Sequence, residues 1–300
     1  MTLTQLRYLV ALDKYKNFVR AAESCLVAQP TLSLQIQKLE HEIGSEIFDR
    51  TKNPIATTSY GLEIIEQAKL VLKEADHLEE MFREGKGEVS GEISIGIIPT
   101  ISAYLLPQIF QLLNLSYPFV SFRFFELPTS QIIQKLESEE LELGILATPL
   151  QNKNIIEQPL YYEPFVAYYP KSYTGKMENL ELEDLNSQEI ILLGEEHCLR
   201  YQSLKICGQK TLGKIECGSL ETIRNMVDLG VAMTLLPLLS MNLERDKFGR
   251  FKTPEPVREV SIVYKNGFYK KKILQSISKA ILSVIPEDLK TIKNRKLIGI

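Results

Sequence analysis

Cysteine and histidine are scarce in this chain: its 300 residues hold four of one and three of the other. Four cysteines do not make a disulfide scaffold, and no two of them form a CxxC pair. His41, His77 and His197 are scattered, so their spacing argues against structural zinc, and no metal or cofactor is expected. A phosphate-binding loop, a dinucleotide fingerprint and a GxSxG elbow are also missing. No apolar run approaches the ~20 residues of a membrane helix. Arg7, Asp13, Lys14 and Lys16 interrupt any leader-like core near the start. The chain is therefore expected in the cytoplasm, with no membrane partner, where thiols are kept reduced. A net charge of −3 excludes a general polycation, so any nucleic-acid surface must be local. The length suits two or three domains.

The first sixty residues carry helical periodicity. Leu6, Leu9, Val10 and Leu12 mark one face of a first helix, and Phe18, Ala21, Ala22 and Leu26 mark a second. In "QPTLSLQIQKLEHEIG", Pro30 suits a first helical turn, Leu32, Ile36, Leu39 and Ile43 form an apolar stripe, and Gly44 ends the helix. The other face carries Thr31, Ser33, Gln35, Gln37 and Lys38. Two helices, a tight turn and a third helix with a polar outer face fit a helix-turn-helix. "FDRTKNPIATTSYG" then suits a wing, with Arg50 and Lys52 placed to meet phosphate. Charge does not decide the matter, because residues 1–60 hold seven Lys or Arg against six Asp or Glu. On periodicity alone, an ordinary three-helix bundle fits as well.

The stretch "FVRAAESCLVAQPTLSLQIQKLEHEIGSEIFDRT" resembles the N-terminal domain of LysR-type transcriptional regulators. The likeness rests on Ala21–Ala22, Gln29–Pro30–Thr31, Ser33, Ile36, Leu39–Glu40, Gly44, Phe48 and Arg50. It implies a winged helix-turn-helix over residues 1–60 that binds a double-stranded DNA operator. Gln29, Pro30, Thr31, Ser33 and Arg50 would face DNA, and Gln35 and Lys38 join them by their place on the polar face.

Residues 61–88 read as a linker helix and hinge. Ile64, Ala68, Val71, Ala75, Leu78 and Phe82 recur at spacings of four and three, the pattern of a coiled-coil seam between two copies. A helix packed on its own domain is the plainer alternative. "GKGEVSG" follows as a hinge. From Glu92 onward, alternating segments ("EISIGII", "SFRFF", "LELGIL", "EVSIVY") interleave with helical ones, which predicts a largely parallel α/β sheet. The expectation is a domain at 89–300 of two subdomains, 89–161 plus 267–300 and 162–266, with a cleft between them. This resembles the periplasmic-binding-protein-like effector domain of the same family. Sites in such sheets lie beyond the C-terminal ends of the strands. The basic residues Lys290, Lys293, Arg295 and Lys296 read as a solvated end.

"EEHCLRYQSLKIC" lies at such a place: "EIILL" is a buried strand, Gly194 closes it, and a helix begins near Cys198. Helix N–H groups there favour a thiolate. In a continuous helix, Cys198 and Cys207 lie ~13.5 Å apart at ~1.5 Å per residue. A disulfide needs Cα atoms within ~7 Å, so a bridge between them requires the segment to unwind. Two unrelated core cysteines, or a bridge already seated in a loop, remain open alternatives.

Nearly the whole chain, and "GEEHCLRYQSLKIC", "IGIIPTISAYLLPQIF" and "SLETIRNMVDLGVAMTLLP" in particular, resembles the peroxide-sensing members of the LysR-type family. That resemblance implies Cys198 as the peroxide-reacting cysteine and Cys207 as the resolving one, with Thr100, Thr129 and His197 holding peroxide. It also implies an arginine after "VY", where this chain has Lys265, a residue that keeps the charge and loses the bidentate fork. The implied partners are hydrogen peroxide as signal, a cellular dithiol reductant, RNA polymerase, and further copies of the chain in a homodimer or homotetramer. The implied output is control of antioxidant genes. A metabolite-sensing regulator with inert cysteines, or a thiol peroxidase, are the competing readings; enzymatic activity is not expected. Cys25 and Cys217 are expected to be structural.

Overall fold

Thr2 opens the first helix with a capping box: its hydroxyl accepts from Gln5 N, and the Gln5 side chain accepts from Thr2 N at 2.9 Å. The computed structural model describes residues 1–85, 91–185, 190–208 and 215–300. The chain divides into two units, Met1–Glu88 and Val89–Ile300.

In the first unit, α1 (Leu3–Tyr15) and α2 (Phe18–Ser24) lead into α3 (Gln29–Ile43), which Gly44 ends in a left-handed conformation at φ +79°. Strands β1 (Phe48–Asp49) and β2 (Ala56–Thr57) pair antiparallel as a short wing. Then α4 runs from Ser59 to Gly85. Leu9, Leu12, Leu32, Ile36 and Leu39, the stripes read from periodicity, are buried in one core with Phe48 and Ile65. The start of the seam joins that core: Ala68 is buried in it, and Ile64 and Val71 pack against it. Ala75 is half-buried, whereas Leu78 and Phe82 are 54% and 68% exposed. Residues 86–90 of the expected hinge lie outside the described residues.

In the second unit, β3 (Gly91–Ile97), α5 (Pro99–Ser116), β4 (Val120–Glu126), α6 (Thr129–Glu137) and β5 (Leu143–Thr148) form a parallel β–α–β–α–β unit. The chain crosses over through the long β6 (Ile155–Tyr168) and passes through α7 (Leu182–Leu185) and β7 (Leu192–Leu193). It continues in α8 (Cys198–Cys207), β8 (Glu216–Cys217), α9 (Leu220–Asp228), β9 (Thr234–Pro237) and β10 (Phe248–Arg250). It returns through β11 (Glu255–Lys265), and α10 (Lys271–Val284) and β12 (Arg295–Leu297) close it.

The sheet is mixed rather than largely parallel, in the order β10-β6-β11-β5-β3-β4. The two crossings cause this, because β6 and β11 carry the chain out and back side by side and so pair antiparallel. Pro159 and Pro164 lie inside β6, whose register against β11 shifts between Val260 and Ser261. Proline takes a donor out of a ladder, so neither position donates to a neighbouring strand. The basic end is also not merely solvated. Residues 295–297 form β12, parallel to the start of β11.

Two apolar cores flank the crossings. One gathers Ile95, Ile101, Ile132, Ile145, Val260 and Ile277, and the other Phe165, Leu192, Leu199, Ile206, Ile223 and Leu235. Among the described residues, no helix is long and apolar enough to cross a membrane.

Candidate functional site

Cys198 is the first residue of α8, behind β7 and Gly194, and His197 is its N-cap with extended backbone. The cysteine is buried, 9% exposed, and belongs to the first core. Cys207 ends the same helix, 5% exposed, in the second core. One ten-residue helix thus pins its two thiols in two different cores. All four cysteines are free. Gly208 follows at φ +72°, ψ 148°, a conformation that favours glycine and that ends the helix at Cys207.

A crevice of about 170 Å³ opens on Cys198, lined by Ile98, Pro99, Thr100, Pro128, Thr129, Glu196 and His197. Both threonines stand in the first turn of a helix, α5 or α6, just beyond the C-terminal end of β3 or β4. The structure therefore brings Thr100, Thr129, His197 and Cys198 together. Thr129 Oγ1 is buried and has no well-formed hydrogen-bond partner, yet it lies near enough to the Cys198 sulfur to favour the thiolate. Glu196, on the rim, places Oε1 3.4 Å from His197 Nε2.

The cation whose charge acts on the Cys198 sulfur is Arg258, a residue that sequence reading missed. It is fully buried on β11. Its Nη1 donates to Thr100 Oγ1 at 2.8 Å and its Nη2 to Thr100 O at 3.0 Å. Nε and Nη2 both donate to Glu163 Oε2, at 2.9 and 2.8 Å. Glu163 lies directly opposite on β6 and is also fully buried. It accepts further from Tyr104 OH at 3.0 Å and from Leu239 N at 3.0 Å, so its charge is well satisfied. The sequence signal was slight: Glu163 is the one charge in "YYEPFV", but Arg258 in "PVREVS" stands beside Glu259.

Lys265, read as standing where the family has an arginine, does not line this crevice. It is 38% exposed, and its Nζ donates to Glu139 Oε1 at 2.8 Å and to Glu137 O at 3.1 Å. Arg200 also turns away, toward Leu193 O at 3.0 Å and Glu216 Oε1 at 2.6 Å.

Burial pushes the Cys198 thiol above its ordinary range, and Arg258, Thr129 and the backbone amides at the helix start pull it back in part. Burial alone pushes the Cys207 thiol up to about 12. Cys198 thus has groups that can carry a thiolate, and Cys207 has none among the causes of its shift. Cys217 is buried with its sulfur 3.5 Å from Met226 Sδ, and Cys25 is half-buried on the first unit.

On the first unit, Pro30, Thr31, Lys38 and Arg50 are exposed, while Gln29, Ser33 and Gln35 are half-buried. Gln35 accepts from Gln5 Nε2 at 3.2 Å. Arg50 is engaged rather than free: it donates to Glu40 Oε2 at 2.5 Å and lies over the Phe18 ring at 5.4 Å. Glu40 is a hub that also accepts from Ile47 N and Phe48 N, and so ties α3 to the wing.

Comparison with known proteins places this architecture. Residues 3–62 match the bacterial regulatory helix-turn-helix protein, lysR family, and residues 86–283 match the LysR substrate binding domain. The chain is 39% identical over 275 residues to the hydrogen peroxide-inducible genes activator of Pectobacterium carotovorum subsp. carotovorum, covering 89% of this chain and 91% of that one. It is 37% identical to the DNA-binding transcriptional dual regulator OxyR of Escherichia coli K12, over 94% of this chain and 95% of that one. A solved full-length OxyR cysteine-to-aspartate variant from Pseudomonas aeruginosa superposes with a TM-score of 0.74 at 34% identity, over 94% of each chain. The chain belongs to the LysR family of bacterial helix-turn-helix regulators. Within that family, these relatives at 34–39% identity are peroxide-inducible activators by name or OxyR.

Proposed function

We propose that this chain is a transcription regulator that senses hydrogen peroxide through a reversible Cys198–Cys207 disulfide and controls antioxidant genes. The observation that carries the reading is the pairing of one thiol at a crevice shared with Thr100, Thr129 and His197 with a second thiol locked in another core at the far end of the same helix. The names of the relatives support it from outside.

The Cys198 thiolate attacks one peroxide oxygen. The S–O bond forms, the O–O bond breaks, and hydroxide leaves, taking up a proton. Thr100 and Thr129 hold the oxidant, His197 flanks it, and the Arg258 charge supports both the thiolate and the departing hydroxide. Cys207 then attacks the sulfenic sulfur, the S–S bond forms, and the oxygen leaves as water. A cellular dithiol reductant resets the pair.

Residues 1–60 read the operator through α3, with Gln29, Pro30, Thr31, Ser33, Gln35 and Lys38, while Arg50 on the wing meets phosphate. Residues 61–88 pair two chains through the outer part of the seam, and 89–300 carries the sensor. Two such dimers form a tetramer that meets RNA polymerase in the cytoplasm, without turnover as an enzyme.

The test is a footprint on a duplex enriched from a random pool against the reduced chain. Peroxide changes the protected span, dithiothreitol restores it, and Cys198→Ser is indifferent to both. An identical footprint before and after peroxide contradicts the reading.

A further inference from the structure

The inner face of α8 is clipped to a segment far away in sequence. Gln202, fully buried, donates from Nε2 to Ile298 O at 3.0 Å. Lys205 donates from Nζ to Gly299 O at 3.0 Å and to Ile300 O at 3.1 Å. Ile298 is itself buried in the core that holds Cys207, and its N–H donates to Val257 O at 2.8 Å, next to Arg258. Strand β12 delivers these residues, by pairing 295–297 with 255–257. Gln202 Oε1 is buried without a hydrogen-bond partner, so this residue is only half satisfied where it stands.

We propose that Gln202 and Lys205 are positioning residues for the resolving step: by holding α8 against residues 298–300 they keep Cys207 in its core and set how fast the disulfide follows oxidation of Cys198. The inference rests on the peroxide-switch reading above and adds what controls its second step. Both clips lie inside the span between the two cysteines, so closing the ~13.5 Å helical separation to within ~7 Å draws Gln202 and Lys205 off residues 298–300. Neither residue lines the Cys198 crevice, so the first step does not depend on them. The clips delay resolution until the helix opens, which leaves the sulfenic acid time to be reduced directly and sets a threshold on the signal.

The experiment mixes reduced full-length chain rapidly with a slight excess of hydrogen peroxide. Aliquots are quenched with dimedone to count sulfenic acid, and with an alkylating agent to count disulfide. Weakening one net hydrogen bond shifts an opening equilibrium about twofold to tenfold. Lys205→Met and Gln202→Leu therefore speed the conversion of sulfenic acid to disulfide by about that factor, with formation of the sulfenic acid unchanged within about twofold. Lys205→Arg, which keeps a donor, restores the slow conversion. Because Lys205 is exposed, its variants keep the fold. Conversion at the wild-type rate in both variants, or equal acceleration of both steps, overturns the inference while leaving the switch in place. A wild-type chain that forms no sulfenic acid at Cys198 overturns the switch and this inference with it.

Discussion

At the scale of single residues, the account turns on which cation acts on the reactive sulfur. Arg258 is fully buried, donates from Nε and Nη2 to Glu163 Oε2, and donates to Thr100. Lys265 makes a surface pair with Glu139. Breaking a buried pair by removing one partner costs about 3–5 kcal/mol, because the other charge is left uncompensated, whereas an exposed pair is worth ~0–1 kcal/mol. Lys265→Ala is therefore expected to leave both urea stability and the rate of Cys198 oxidation close to wild type. Arg258→Met is expected to lower stability by several kcal/mol and to slow oxidation. Equilibrium denaturation with stopped-flow oxidation checks both, and a Lys265→Ala variant that oxidises tenfold more slowly contradicts the assignment.

Cys207 gives a pH prediction at the same scale. With its thiol pushed up to about 12, only about one molecule in ten thousand carries the thiolate at pH 8. An exposed thiol near the ordinary ~8.5 carries about one in four. In Cys198→Ser, alkylation of Cys207 is expected to run about a thousandfold slower than in urea. The sign for stability follows. The folded form holds the proton more tightly, so nothing is lost below the ordinary thiol range, and stability falls as pH rises from there toward about 12. Fast alkylation of Cys207 in the native protein at pH 8 contradicts its burial.

Arg258 was illegible in the sequence for a physical reason. In "PVREVSIVY" Arg258 stands beside Glu259 just ahead of the alternating run "EVSIVY", where a pair of opposite charges reads as surface. Its burial comes from register, because β6 places Glu163 directly opposite, and those two positions are ninety-five residues apart in the chain. Cys198 was legible, because it sits at a strand-to-helix junction that local pattern marks, whereas Thr100, Thr129 and His197, like Lys265, came from the likeness to the family. Lys265 was taken from the likeness to a motif, without the contact that decides which cation acts on the sulfur.

At the scale of elements, α4 divides its seam. The N-terminal part supports its own domain through Ile64, Ala68 and Val71, and the part carrying Leu78 and Phe82 is left exposed. A single amphipathic stripe cannot separate these two uses, since both need the same spacing. Exposed leucine and phenylalanine on a helix of 27 residues suit a partner chain. Leu78→Glu combined with Phe82→Glu is expected to shift the chain toward monomer at micromolar concentration in sedimentation velocity. The same change at Ala68 is expected to unfold the first unit instead. An unaltered sedimentation profile in the Leu78/Phe82 variant contradicts a seam there. The helices of the first sixty residues were readable because their stripes, caps and breakers are all local. The full length of β6 has no local signal, because it is set by long-range pairing with β11, whose register shift falls beside Pro159.

At the scale of the whole molecule, the two α/β halves and the crossings between them turn a chemical change into a structural one. Cys198 belongs to one core and Cys207 to the other, so a bond between them cannot form while both cores keep α8 as it stands. The mixed sheet is the frame against which this occurs, with β11 carrying Arg258 and receiving β12. On the proposed switch, oxidation would trade native packing around α8 for one covalent bond, a bistable arrangement suited to signalling. The most direct test of that claim is disulfide mapping by mass spectrometry after stoichiometric hydrogen peroxide, on wild type, Cys198→Ser and Cys207→Ser. The account predicts a Cys198–Cys207 bridge in wild type, sulfenic acid persisting at Cys198 in Cys207→Ser, and no peroxide product at Cys207 in Cys198→Ser. A Cys198 that stays reduced in slight peroxide excess, or that bridges to Cys217 instead, contradicts it.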